Sequence, residues 1–149
     1  MNEQSMIKSI KQYFIDNIHL DENFENILVD FIDEDAVNYS IEPVPVEPVL
    51  RQYADGSSLR QFVFQFGSRE YYDNGNSQNI SNLDFYEKFN NEIEDKNKKG
   101  ILPNIEGIQS IECLNNGTIQ DVQSGTAKYI IQMRITYYQS YEKDNTVSI

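Results

Sequence analysis

Tyr53-Ala54-Asp55-Gly56-Ser57-Ser58-Leu59-Arg60-Gln61-Phe62-Val63-Phe64-Gln65-Phe66 is the stretch from which the fold can be read. Asp55-Gly56 is a turn dipeptide, and the alternation after it places Phe62, Phe64 and Phe66 on one face. That pattern predicts a half-buried strand leaving a hairpin, with Val49 to Tyr53 as the incoming arm. Arg60, Gln61 and Gln65 are assigned to the polar face. The run passes Gly67 and continues as Ser68-Arg69-Glu70-Tyr71-Tyr72. Gly67 to Ser81 is expected to be a polar loop, because Asp73-Asn74-Gly75-Asn76-Ser77 is dense in turn residues. No catalytic constellation accompanies the aromatic strand, so its chemistry is that of a contact surface.

Upstream of the hairpin, Pro43, Pro45 and Pro48 each remove a ladder donor and forbid helix. Val37 to Val49 therefore reads as an edge strand or an extended crossing segment. Met6 to Ile18 reads as an amphipathic helix with Met6, Ile7, Ile10, Phe14 and Ile18 near one face. Asp21 to Asp35 carries seven acidic residues and reads equally well as helix or short strand.

Downstream, Asn82 is a fitting N-cap. Leu83, Phe85, Tyr86, Phe89 and Ile93 form an apolar stripe of a helix running to about Lys99. Gly100 closes it and Pro103 follows. Gly107 to Leu114 reads as a strand, Asn115-Asn116-Gly117 as a turn, and Ala127 to Tyr138 as the longest strand. In that last strand Tyr129, Ile131, Met133, Ile135 and Tyr137 share one face. The tail from Glu142 to Ile149 is polar and expected to be mobile. Helix, strands, helix, strands is the order of an α+β layer pair, two main helices on one face of a mostly antiparallel sheet. The 149 residues suit one domain. A chain of this length buries roughly 70% of its unfolded surface and needs no staples.

The net charge is −12, with 24 acidic against 12 basic residues. That argues against a generic binder of phosphate backbones or anionic membranes, either of which needs a basic stripe. It is compatible with a channel that nucleic acid must traverse without sticking. One cysteine, Cys113, allows no internal disulfide. No basic segment followed by an apolar one marks a secretory signal, and no apolar run approaches the ~18 residues of a membrane span.

The chemistry-bearing residues are sparse. His19 is the only histidine, and it follows a helix end. With Cys113 it cannot build a zinc site. Cys113 reads as a small strand hydrophobe. Asp33-Glu34-Asp35 and Asp21-Glu22 lack the spacing of a calcium loop and read as a solvated acidic face. There is no phosphate-cradling loop and no nucleophile elbow. No cofactor is implied. Arg60, Arg69 and Glu70 are either charged contacts across a subunit boundary or ordinary strand charges. Tyr71, Tyr72, Tyr137, Tyr138 and Tyr141 are numerous enough to suggest a contact surface.

The hairpin from Asp55 to Phe62, with Phe64, Phe66, Ser68, Arg69 and Glu70, resembles the tail terminator family of tailed phages and prophages, often labelled minor capsid protein. The segments Phe85-Tyr86-Glu87-Lys88-Phe89, Gln109-Ser110-Ile111-Glu112 and Ala127-Lys128-Tyr129 carry the same resemblance, which spans roughly residues 37 to 139. It implies a homohexameric ring on the head-proximal end of the tail tube, in a virion or a headless, tailocin-like particle assembled in the bacterial cytoplasm. The partners it implies are other copies of the chain, the tail tube protein, and neck, connector or sheath proteins. DNA or a tape-measure protein would pass through the lumen unbound. A ring needs two unlike patches on each subunit. Pro43 and Pro45 in the crossing segment and the tyrosine-bearing strand ends, including Tyr138, are the candidates. The competing expectations are a neck or head-completion protein, a small carboxylate-based metal-dependent enzyme, and a monomeric module that captures a basic protein.

Overall fold

The computed structural model describes residues 2–18, 39–71, 77–123 and 126–141. Its order is α1 (Glu3–Asn17), β1 (Tyr39–Val44), β2 (Val49–Gln52), β3 (Ser58–Tyr71), α2 (Ser77–Lys98), β4 (Ile108–Cys113), β5 (Thr118–Gln123) and β6 (Thr126–Gln139). The fold is α+β, with two helices and a six-stranded antiparallel sheet among the described residues. The acidic stretch from Asp21 to Asp35, His19 and the tail from Glu142 lie outside the described residues.

β3 and β6, each of 14 residues, pair along their whole length, from Ser58↔Gln139 to Tyr71↔Thr126. Each carries two shorter strands end to end on its other side. β1 and β2 line β3, while β4 and β5 line β6. The sheet is thus four strands wide where these short strands pair, with β1/β2 and β4/β5 as its edges.

The strand period of two puts Phe62, Phe64 and Phe66 opposite Ile135, Met133 and Ile131 on one face. Phe64, Phe66, Tyr129, Ile131, Met133, Ile135 and Ile111 are fully buried there. α1 lays Met6, Ile10, Tyr13 and Phe14 onto this face, and α2 lays Tyr86, Phe89 and Ile93. Three rings lock the layers. Phe66 lies 5.0 Å from both Phe14 and Phe89, which are themselves 5.4 Å apart at 80°. Such pairs contribute about 0.5–1.5 kcal/mol each beyond area burial.

Helix ends follow local chemistry. Asn2 Oδ1 accepts from the Ser5 amide at 2.8 Å and caps α1. α2 ends as expected: the Ile101 amide donates to Lys96 O and the Gly100 amide to Asn97 O. Inside the core, the Ser68 and Tyr86 hydroxyls are hydrogen-bonded, and Tyr86 Oη donates to Tyr129 O at 3.3 Å. Tyr13, missed in the apolar stripe of α1, buries its ring and donates from its hydroxyl to Ile101 O at 2.7 Å. Burial, with Glu92 nearby, pushes its phenol up to about 12.

Four expectations need correction. Gly67 to Tyr71 is strand, because β6 supplies a pairing partner at every residue to the end. The helix begins at Ser77, so Asn82 lies inside it rather than capping it. Asn115-Asn116-Gly117 does not turn the chain back, because β5 continues the line of β4 along the same strand. Asn115 Oδ1 accepts the Gln132 amide at 3.0 Å and bridges the gap in the ladder. Arg60 lies on the side of Phe62 and Tyr137, not with Gln61 and Gln65, and its Nε donates to Ser58 Oγ at 3.0 Å.

Candidate contact surface

The residues singled out in the sequence fall at three places on the sheet. Arg60 and Tyr138 lie at the end where the β2–β3 turn meets the close of β6. Arg69, Glu70 and Tyr71 lie at the opposite end of β3, paired with Lys128, Ala127 and Thr126. Arg69 lies nine positions beyond Arg60, about 30 Å at roughly 3.3 Å per residue. Pro43 sits within edge strand β1, opposite Phe64, and Pro45 just beyond it; both are exposed. Tyr72 lies outside the described residues. The candidates therefore form two unlike sheet ends and an edge, not one patch.

The turn end is the best defined. Leu50 (45%), Tyr53 (38%), Tyr138 (39%) and Tyr141 (47%) are large apolar side chains left exposed. The Tyr53 and Tyr138 rings stand 6.3 Å apart at 45°. Several backbone bonds hold this end in place. Tyr53 N–H donates to Ser57 O at 2.9 Å, and Tyr138 N–H to Gly107 O at 2.8 Å. In the turn, Asp55 Oδ1 accepts from the Ser57 amide at 2.9 Å and from the Ser57 hydroxyl. These bonds hold the Asp55 carboxyl below its ordinary range, the side-chain bond contributing most. Burial raises the Tyr137 phenol beside this end, and the charge of Arg60 opposes the shift. Leu50 and Tyr53 escaped the sequence reading because a four-residue edge strand has no periodicity to reveal its exposed side.

The sheet face away from α1 and α2 is mostly polar. Gln61, Gln65, Gln132, Arg134 and Thr136 lie there, with Val63 buried among them. Arg134 donates from Nε to Glu112 Oε1 at 2.8 Å across the β4–β6 pair. Lys128 Nζ lies 3.5 Å from Glu42 Oε1, reaching diagonally past Gly67 of β3. Bridges of this exposure contribute about 0–1 kcal/mol.

Cys113 packs against the core as a strand hydrophobe, and burial, with Glu112 and Glu94 nearby, pushes its thiol up to about 12. A thiol held protonated is a poor nucleophile at neutral pH. Among the described residues no three His, Cys, Asp or Glu side chains gather as a metal site, and no helix is long and apolar enough to cross a membrane. An open groove of about 310 Å³ between α1 and the segment after α2 is lined by Lys8, Gln12, Asp16, Asn17 and Asn104 among others. Its open walls, which mix these polar groups with Tyr13 and Leu102, offer no enclosed apolar pocket of the kind small ligands favour. Comparison of the chain with protein-family models, curated proteins and solved structures finds no match.

Proposed function

We propose that the chain is a structural subunit of a phage or phage-like tail. Its copies form a ring, a hexamer in the family it resembles, on the head-proximal end of the tail tube. The ring stops tube polymerisation and offers a docking face to the neck or head. The observation that carries this reading is the exposed Tyr53–Tyr138 ring pair on a backbone-braced sheet end, with exposed Tyr141 beside Gly56 of the turn and exposed Leu50 on β2. Tyrosines with an apolar body and a polar tip are the residues that concentrate at protein contacts. A ring pair held rigid before contact loses little entropy on binding.

A closed ring joins two different patches of neighbouring subunits. The sheet supplies two unlike ends, one bearing the Tyr53–Tyr138 pair and the other Arg69, Glu70 and Tyr71. The net charge of −12 suits a lumen through which DNA or a tape-measure protein passes without sticking.

Electron microscopy of particles from cells with and without the gene tests the reading. Tubes of uncontrolled length in its absence, and a ring at the head-proximal tip in its presence, are the expected result. Tubes of normal length beside unjoined heads would move the role to the neck. Complete, normal particles without the gene would remove the chain from the structure altogether.

A further inference from the structure

We infer that Asn116 is a self-modification site, at which the chain converts its own amide to aspartate and isoaspartate. Asn116 is exposed and is followed by Gly117, in the segment that joins β4 to β5. It lies between the two strands rather than within either ladder. Glycine has no side chain to obstruct its own nitrogen, which makes the Asn–Gly linkage the most open to ring closure.

The chemistry balances within the chain and water. The Gly117 backbone nitrogen attacks Asn116 Cγ, a new N–Cγ bond forms, and the Cγ–Nδ2 bond breaks. The leaving nitrogen departs as ammonia, taking the proton that Gly117 loses. Water then opens the five-membered succinimide at either carbonyl. One opening leaves aspartate at 116. The other leaves isoaspartate, with an extra methylene in the main chain.

Two features of the fold bear on this step. Asn90 Nδ2 of α2 donates to Asn116 Oδ1 at 3.1 Å. That oxygen is the one that gains negative charge when Gly117 attacks, so Asn90 is placed to stabilise the tetrahedral intermediate. Position 117 is also confined to glycine. A Cβ there would stand 2.4 Å from Tyr86 Cβ and 2.5 Å from Tyr86 Cγ. Tyr86 is buried and cannot yield, so the fold that needs glycine at 117 preserves the labile linkage.

The consequence is local and directional. β4 and β5 share β6 as partner and are held in line by the segment containing Asn116. An added methylene there shifts β5 relative to β4 against β6, whereas aspartate only adds a charge.

The test is peptide mapping by mass spectrometry of the full-length folded protein after timed incubation at neutral and mildly alkaline pH, with enzymatic detection of isoaspartate. Expected is conversion at Asn116 that accelerates with pH, is several-fold slower in Asn90→Ala, and is absent in Asn116→Gln, whose longer side chain disfavours the ring. The second Asn–Gly pair, Asn74-Gly75, falls in a different peptide and is scored separately. An amide intact at 116 in the folded protein, alongside conversion at 116 in urea, would overturn the inference by showing that the fold protects the site. An unchanged rate in a folded Asn90→Ala variant would remove Asn90 from the step.

Discussion

The two long edges of the sheet are built from opposite chemistry. Along β4 and β5, α2 reaches out to the edge. Asn97 Oδ1 accepts the Ile111 amide at 2.9 Å, Asn90 holds Asn116, and Tyr86 abuts Gly117. Along β1 and β2, Pro43, Pro45 and Pro48 punctuate the chain, and Val46 and Leu50 stay exposed. Among the described residues no strand pairs beyond β1 or β2. An unpaired edge invites wrong strands, and proteins blunt it by covering or by proline. Here one edge is covered by a helix and the other is broken by proline. A covered edge is committed to the fold, whereas a proline-broken edge resists random pairing and leaves its side chains free for a chosen partner.

Substitutions separate the two edges. Phe64→Ala removes a fully buried ring from the strand on which β1 and β2 both depend. It is expected to cost about 3–5 kcal/mol in a denaturant titration, and a nearly unchanged midpoint would place the phenylalanine face outside the core. Gly107→Ala comes next. Gly107 leads into β4 at φ 76°, and a Cβ there would meet Tyr138 O at 2.1 Å. A loss of about 1–3 kcal/mol is expected, since main chain must move; full stability would mean that the β4–β6 junction is looser than described.

Smaller effects sharpen the contrast. Asn97→Ala deprives the Ile111 amide of its acceptor and is expected to cost about 1 kcal/mol, with faster hydrogen exchange at Ile111. Unchanged exchange would mean the covered edge is held by packing alone. Leu50→Ser on the other edge is expected to shift stability by no more than about 0.5 kcal/mol while weakening assembly on tail tubes, read by sedimentation and microscopy. Intact assembly would break the assignment of this edge to partners. Smallest is the acid response of the turn. The Asp55 carboxyl titrates lower in the folded state, so its contribution is present above the ordinary carboxylate pKa and is lost as pH falls through the folded value. Asp55→Asn should flatten the acid limb of the stability profile slightly, and an identical limb in both proteins would sink that attribution.

The comparison also sorts what could be read in advance. Side chains that alternate or recur with the helical period announce which face they bury. Phe64, Phe66, Ile131 and Met133 were legible for that reason, as were the apolar stripe of α2 and its closure at Gly100. Proline announced its edge because it cannot donate to a ladder, and Pro43 lies in β1 as that rule requires. The two ends of the sheet were less legible. Arg60 was assigned to the wrong face, because the polar residue types suggested a side that the strand period contradicts.

Local chemistry in the sequence therefore determined the class of the fold, its core faces and the C-terminal end of α2, since each depends on residues within a few positions of one another. Tertiary structure alone decided that β3 runs on through Gly67 to Tyr71, that Asn115 to Gly117 carries the chain straight on, and that Tyr53 and Tyr138 meet. In each case the deciding partner is distant in the chain: β6 pairs with β3, Gln132 with Asn115, and the end of β6 with the β2–β3 turn. A hydrogen-bond ladder is satisfied by whichever strand lies beside it, and that choice is made only when the whole sheet closes over its core.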